Sequence, residues 1–176
     1  LDLTLPNVIG LADARAVRKR RPEAVHLRPS HMQVVLQPDL HHPWLGRRDV
    51  RQALLRAIDR RRLAREVYGR FGRVSHAPIP GTRATGMKRW PYQPKMVAAA
   101  LQKLGVAKQR LPLIHGSSPT SRAIAVRVAA DLRAAGLTVA LRRVTDAERR
   151  TLFRQQKHGE LLVVAIHGLE QRSLYR

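Results

Sequence analysis

The 176-residue chain contains no cysteine, which excludes disulfides, zinc–thiolate centres and thiol nucleophiles. That absence suits the periplasm and the cytosol equally and does not choose a compartment. Aromatic residues make up 4% of the chain, too few to build stacking platforms for single-stranded nucleic acid. No apolar run approaches the length that spans a bilayer. Acids are scarce: 12 Asp and Glu stand against 34 Lys and Arg, a formal net charge of +22. Gly-x-Ser-x-Gly, the P-loop and Gly-x-Gly-x-x-Gly are all missing, so the sequence reads as non-enzymatic and without a cofactor. The start, Leu1-Asp2-Leu3-Thr4, carries an acid and no basic n-region. No secretory leader is read there, and the chain reads as a mature or excised piece.

Apolar residues are 44% of the chain, enough for a domain with a core rather than a disordered basic tail. The basic residues are dispersed over the whole length, and the longest run of arginines, Arg60-Arg61-Arg62, alternates with apolar anchors as a solvated helix face does. Dispersal of this kind, with arginine far in excess of lysine, fits GC-rich coding better than a nucleic-acid interface. Contact with nucleic acid is expected to be non-specific at most.

The clearest helical pattern runs from Asp49 to Arg60. Val50, Ala53, Leu54, Ala57 and Ile58 fall on one face. Asp49 reads as N-cap, with Gln52 completing a capping box. Asp59 reads as a second cap, followed by Leu63, Ala64, Val67 and Tyr68 and closed by Gly69. Two short helices with a bend near Asp59 are therefore predicted, with Leu54 and Ile58 as core and Arg60 and Arg61 as surface. Before them, residues 1–10 read as a short strand, Ala12 to Arg20 as a helix stopped by Pro22, and His26 to Leu36 as a strand interrupted by Pro29. The loop from Pro38 to Arg48 holds His41-His42, an adjacent pair with no further ligand spacing, so no metal site is assigned. Trp44 in the same loop is read as a packing anchor.

After a Pro- and Gly-rich stretch over 69–94, Pro94 at N1 opens a helix carrying Met96, Val97, Ala100, Leu101 and Leu104, which Gly105 closes; Gln93 is a poor cap for it. The remainder alternates strand and helix. Leu111–His115 reads as a strand, Ser118 as a cap with Pro119 at N1, and Ile124, Val128, Leu132 and Ala135 as the inner helix face. Gly136 ends that helix and 137–143 is the next strand. Asp146 caps a helix to about Lys157, and Glu160–His167, apolar throughout Leu161–Ile166, suits a central strand. The alternation predicts an α/β fold with a small parallel sheet of order 2-1-3 flanked by helices.

Several stretches also resemble one family. Asp49 to Arg60 is similar to the "DVR-x-x-A-x-x-x-A-I-D-R" signature of the solute-binding proteins that serve peptide and nickel ABC importers. Ser75-His76-Ala77-Pro78-Ile79-Pro80 looks like the turn that follows that signature. Tyr92-Gln93-Pro94-Lys95 looks like the "Y-D-P-E" helix start, with Gln93 in place of the usual Asp, and the α/β unit matches in turn. The four stretches keep the family's order over most of residues 31–141.

The resemblance implies a class II periplasmic-binding-protein-like lobe. Residues 1–38 would be the end of a first lobe with the strand crossing the hinge, and 39–176 part of the second lobe. It also implies a monomeric extracytoplasmic receptor, lipoprotein or secreted, that closes on a peptide-like solute and meets an ABC permease. Where peptide binders carry "W-x-x-D-Y-x-D-P", this chain reads Gly168-Leu169-Glu170-Gln171-Arg172, which leaves Glu170 as the only acid there. With a 2-1-3 order, the solute is expected beyond the strand ends, at His115, Gly116, Ser117 and Ser118 on one side and His167, Gly168 and Glu170 on the other. The helix start in the first loop favours an anion, and Glu170 would receive an amine. The alternatives are a basic nucleic-acid-binding domain and a solute-sensing lobe of a transcription regulator.

Overall fold

The computed structural model describes residues 11–24, 32–69, 72–76, 89–155 and 161–167. Helix α1 (Leu11–Arg20) places Asp13 in its first turn and Arg18, Lys19 and Arg20 in its last, as the helix dipole favours, and a single 3-10 turn follows at Pro22–Ala24. Strand β1 (Met32–Pro38), helices α2 (Arg48–Ala57), α3 (Arg60–Tyr68) and α4 (Pro94–Lys103) come next. They lead into the alternating unit β2 (Arg110–His115), α5 (Pro119–Ala134), β3 (Thr138–Arg143), α6 (Asp146–Gln155) and β4 (Leu161–His167).

The four strands form one sheet in the order β1-β4-β2-β3. β2 pairs parallel with both β3 and β4, which is the 2-1-3 arrangement that the strand–helix alternation predicts. β1 adds a fourth, antiparallel strand on the far side of β4, from Met32↔His167 to Pro38↔Leu161. β4 is therefore central. Of the strand predicted over His26 to Leu36, the described part starts at Met32 and runs on to Pro38, which stands at its last position; residues 26–31 lie outside the described residues. The segment read as a strand over residues 1–10 and most of the Pro-rich turn at 77–80 lie outside the described residues.

The pleat of β2 divides the core. Leu111 and Leu113 point to one face, where they meet Val139 and Val163 from the sheet, Ile124, Val128 and Leu132 from α5, Val50 and Leu54 from α2, and Val97 and Leu101 from α4. Ile114 points to the other face and packs with Val144, Val35, Leu152 and Phe153. Trp44 packs against the larger cluster, as predicted, with the His42 ring edge-on to it at 5.0 Å. Met96 differs from its expected role: it is 62% exposed, because only Val97 and Leu101 of α4 face the core.

The helix caps show where sequence rules hold and where they slip by a residue. Asp59 caps α3 by accepting from the Arg62 amide (2.9 Å), and Gly69 ends it at φ 60°, where a side chain would be strained. Asp49, predicted to cap α2, lies one residue inside the helix, which starts at Arg48 with Arg47 as an N-cap without a side-chain bond. Arg47 instead bonds the Asp49 carboxylate (3.0 Å), and that contact holds Asp49 below its usual range. Asp146 is likewise inside α6. The residue before it, Thr145, accepts from the Glu148 amide (3.2 Å) and does the capping. Arg60 is half-buried and bonds the Trp90 carbonyl, so of the two arginines read as surface only Arg61 is exposed.

One buried charge ties these parts together. Asp131 on α5 is 1% exposed, accepts from the Asp59 amide (3.0 Å), and pairs with Arg62. The carboxylate thus clamps the α2–α3 bend onto α5. It also raises the Arg62 guanidinium above its ordinary value.

Leu54→Ala or Ile58→Ala is expected to cost on the order of 2–5 kcal/mol, the range for emptying a buried aliphatic site. Arg61→Ala is expected to stay within about 0.5 kcal/mol. Asp131→Ala strands the Asp59 amide while Arg62 can turn to water, so its expected cost is about 1–3 kcal/mol. Denaturant midpoints of the four variants check the ranking; an Asp131→Ala midpoint equal to that of Arg61→Ala contradicts the clamp.

Candidate functional site

The β2–α5 junction is where sequence and fold converge. His115 ends β2 and is 5% exposed. Its Nδ1 lies 2.8 Å from the Gly116 carbonyl oxygen, and since a carbonyl only accepts, Nδ1 carries the proton in that contact. The Gly116 amide donates to Ser121 Oγ (3.0 Å), and Ser118 Oγ accepts from the Ser121 amide (3.1 Å). Ser118 is thus the N-cap of α5 and Pro119 its first residue, as predicted. Gly116 has a packing reason for its missing side chain. A Cβ there would meet Asp146 Oδ1 at 3.1 Å and Arg149 Nε at 3.2 Å, the two ends of an ion pair on α6.

These contacts change how the loop can act. The Gly116 and Ser121 amides, two of the donors a helix start would offer an anion, are already satisfied by Ser121 and Ser118. What remains accessible is the rim. Ser117 is exposed, and with His115 it forms one end of a groove of about 880 Å³ on the α5 face of the sheet. From there the groove follows α5 past Arg122 and Val126 to Arg127, with Glu66 and Val67 of α3 along one wall and Leu141 and Arg143 of edge strand β3 along the other. Glu66 pairs with Arg127. Arg122 and Arg143 make no ion pair among the described residues.

Of the remaining predicted site residues, His167 is the last residue of β4, paired through its backbone with Met32. Gly168 and Glu170 lie outside the described residues. The register fixes how the two sides relate. Ile114 is opposite Leu162, so His115 is level with Val163, and His167 lies four residues further along. At about 3.3 Å per residue that is roughly 13 Å along the strand. The two strand ends are staggered rather than abreast.

The groove arginines were not singled out from the sequence. The available signal was weak: Arg122, Ala123, Val126 and Arg127 form a second stripe beside the buried Ile124 and Val128. Arg143 read as the end of a strand. The local field is basic elsewhere too: burial, then Arg60, Arg89 and Arg61, push His76 below its ordinary value. Among the described residues no helix is long and apolar enough to cross a membrane, and no group of three or more His, Asp or Glu is placed to hold a metal ion.

Comparison with known proteins follows the same line. Residues 3–168 match the model of the bacterial extracellular solute-binding proteins, family 5, and the chain belongs to that family, one of solute carriers rather than enzymes. No curated protein matches the sequence. Among solved structures, NikA from Staphylococcus aureus, in complex with nickel and L-histidine, superimposes with a TM-score of 0.76 at 16% identity over 90% of this chain and 35% of that one. DppA from Helicobacter pylori, an ABC transporter-associated periplasmic binding protein in complex with the peptide STSA, gives 0.71 at 17% identity over 93% and 32%. A dipeptide-binding protein from a Pseudoalteromonas species, in complex with Met-Leu, gives 0.66 at 15% identity over 89% and 36%. The fold is that of class II periplasmic binding proteins. The chain spans about a third of the length of the structures it matches.

Ser118→Ala is expected to cost about 0.5–2 kcal/mol of stability through the lost cap, and Ser117→Ala close to nothing. Thermal unfolding of the two variants side by side checks it. Equal melting temperatures contradict the role assigned to Ser118.

Proposed function

We propose that this chain is part of the receptor of an ABC importer, extracytoplasmic and monomeric, that closes on a peptide-like solute and presents it to a membrane permease. In this reading residues 1–38 belong to the end of one lobe and the strand that crosses from it, and 39–176 to the facing lobe. The solute lies over the carboxyl ends of β2 and β4, in the cleft between the lobes. The supporting observation is the parallel pairing of β2 and β4 in a family 5 chain. It sets His115, Gly116, Ser117 and Ser118 on the same side of the sheet end as His167, with Gly168 and Glu170 next in sequence. Open parallel sheets bind ligands at such a place.

The stagger sharpens the expectation. A solute that touches both strand ends has to span the roughly 13 Å between the levels of His115 and His167, which is about four residues of extended peptide. An extended oligopeptide fits that span better than a single amino acid. Glu170 would take the peptide amine, and the loop at Ser117 and Ser118 the opposite end.

Calorimetry of the full-length protein against a peptide library is the test. Glu170→Ala and Ser118→Ala are each expected to weaken binding, with the loss growing from dipeptides to tetrapeptides for Glu170→Ala. If both variants bind as the parent does, this placement of the solute is wrong.

A further inference from the structure

We propose that the solute is acidic, and that Arg122 and Arg143 are the residues that select it. The inference deepens the receptor reading and rests on it for delivery, while binding to the groove follows from the groove's own chemistry. The groove carries three guanidinium groups, on Arg122, Arg127 and Arg143, against a single carboxylate, Glu66. That carboxylate is already taken by Arg127. Two cations remain without an ion-pair partner among the described residues. They come from different elements, one from the first turns of α5 and one from the end of β3, whose residue Arg143 is directly level with His115 in the sheet.

The rest of the lining suits a ligand with an apolar body. Val126 is 48% exposed and Leu141 38% exposed, and both face the same groove. Covering them gains apolar burial for any solute that spans the groove. A guanidinium gives a carboxylate two parallel donors in a fixed fork and is weakly hydrated, so the cost of drying it is small for a charged group. The Gly116 and Ser121 amides are engaged by the loop itself, and the formal positive charge open to a solute in the groove is that of Arg122 and Arg143. Discrimination by charge therefore falls to Arg122 and Arg143. A solute with basic side chains would meet repulsion here, and a neutral one would leave both cations unsatisfied beneath it.

The test uses the full-length protein and three tripeptides of equal size: Glu-Val-Glu, Gln-Val-Gln and Lys-Val-Lys. Calorimetry is run on the parent, on the double variant Arg122→Gln with Arg143→Gln, and on Arg150→Gln, an exposed arginine of α6 outside the groove. Both groove arginines are exposed, so the double variant is expected to fold as the parent does. The acidic peptide is expected to bind about tenfold or more tightly than the neutral one, as one or two charge-assisted hydrogen bonds imply. The preference should vanish in the double variant and persist in Arg150→Gln. If the peptides bind without charge preference, or the preference survives the double variant, the inference is overturned and the receptor reading stands. If none of the three binds, the inference falls, and the receptor reading is left to the peptide library. If the acidic peptide depends on Arg122 and Arg143 but not on Ser118 or Glu170, the inference stands and the placement of the solute over the β2 and β4 ends does not.

Discussion

A single carboxylate governs how the helices meet the sheet. Asp131 is buried near the C-terminal end of α5, and α5 is the element that touches β2, β3 and β4 beneath it and α2, α3 and α4 around it. Burying an unpaired charge in that position would be prohibitive. The Asp59 amide and Arg62 are what make it tolerable. The consequence reaches the groove. Because Asp59 and Arg62 begin α3, the clamp fixes the direction in which α3 leaves the bend, and Glu66 and Val67 two turns later are where the groove wall needs them. Packing alone would leave α3 less determined, since none of its residues is fully buried.

The high positive charge acquires a partly structural explanation. Several arginines donate to backbone carbonyl groups: Arg47 to Leu104 (3.0 Å), Arg133 to Val139 (2.6 Å), and Arg60 to Trp90. Arg56 lies over the Trp90 ring, 4.8 Å from its centroid. These side chains tie loops to helix and strand ends, a task for which a long planar donor is well suited. Arg122 and Arg143 of the groove have no such task among the described residues.

What the sequence disclosed and what it hid divide along a physical line. Local chemistry was legible. Ser118-Pro119 starts α5, Asp59 starts α3 and Gly69 ends it, each through residues within a turn of one another, while the caps read at Asp49 and Asp146 slipped by one residue; the strand–helix alternation, a longer pattern, yields the 2-1-3 order. Relations between distant segments were not. Nothing local in Met32–Pro38 marks it as the antiparallel partner of β4, and no pattern encodes the stagger between His115 and His167. Asp131 had a usable signal: it lies seven residues after Ile124 and three after Val128, on the apolar stripe of its helix. An acid at such a position implies a buried partner, though not which one. Arg122 and Arg143 are separated by a helix and a turn, and only the parallel pairing of β2 with β3 brings them to one groove.

The central claim is that the β2–α5 junction and the adjoining β3 edge form the solute-binding face of this lobe. Hydrogen–deuterium exchange of the full-length protein with and without bound Glu-Val-Glu tests it most directly. The account predicts added protection over residues 115–123 and 141–143, with α2 and α4 unchanged. Protection confined to α2, α4 or the surface around Met96, with no change at 115–123, would contradict it.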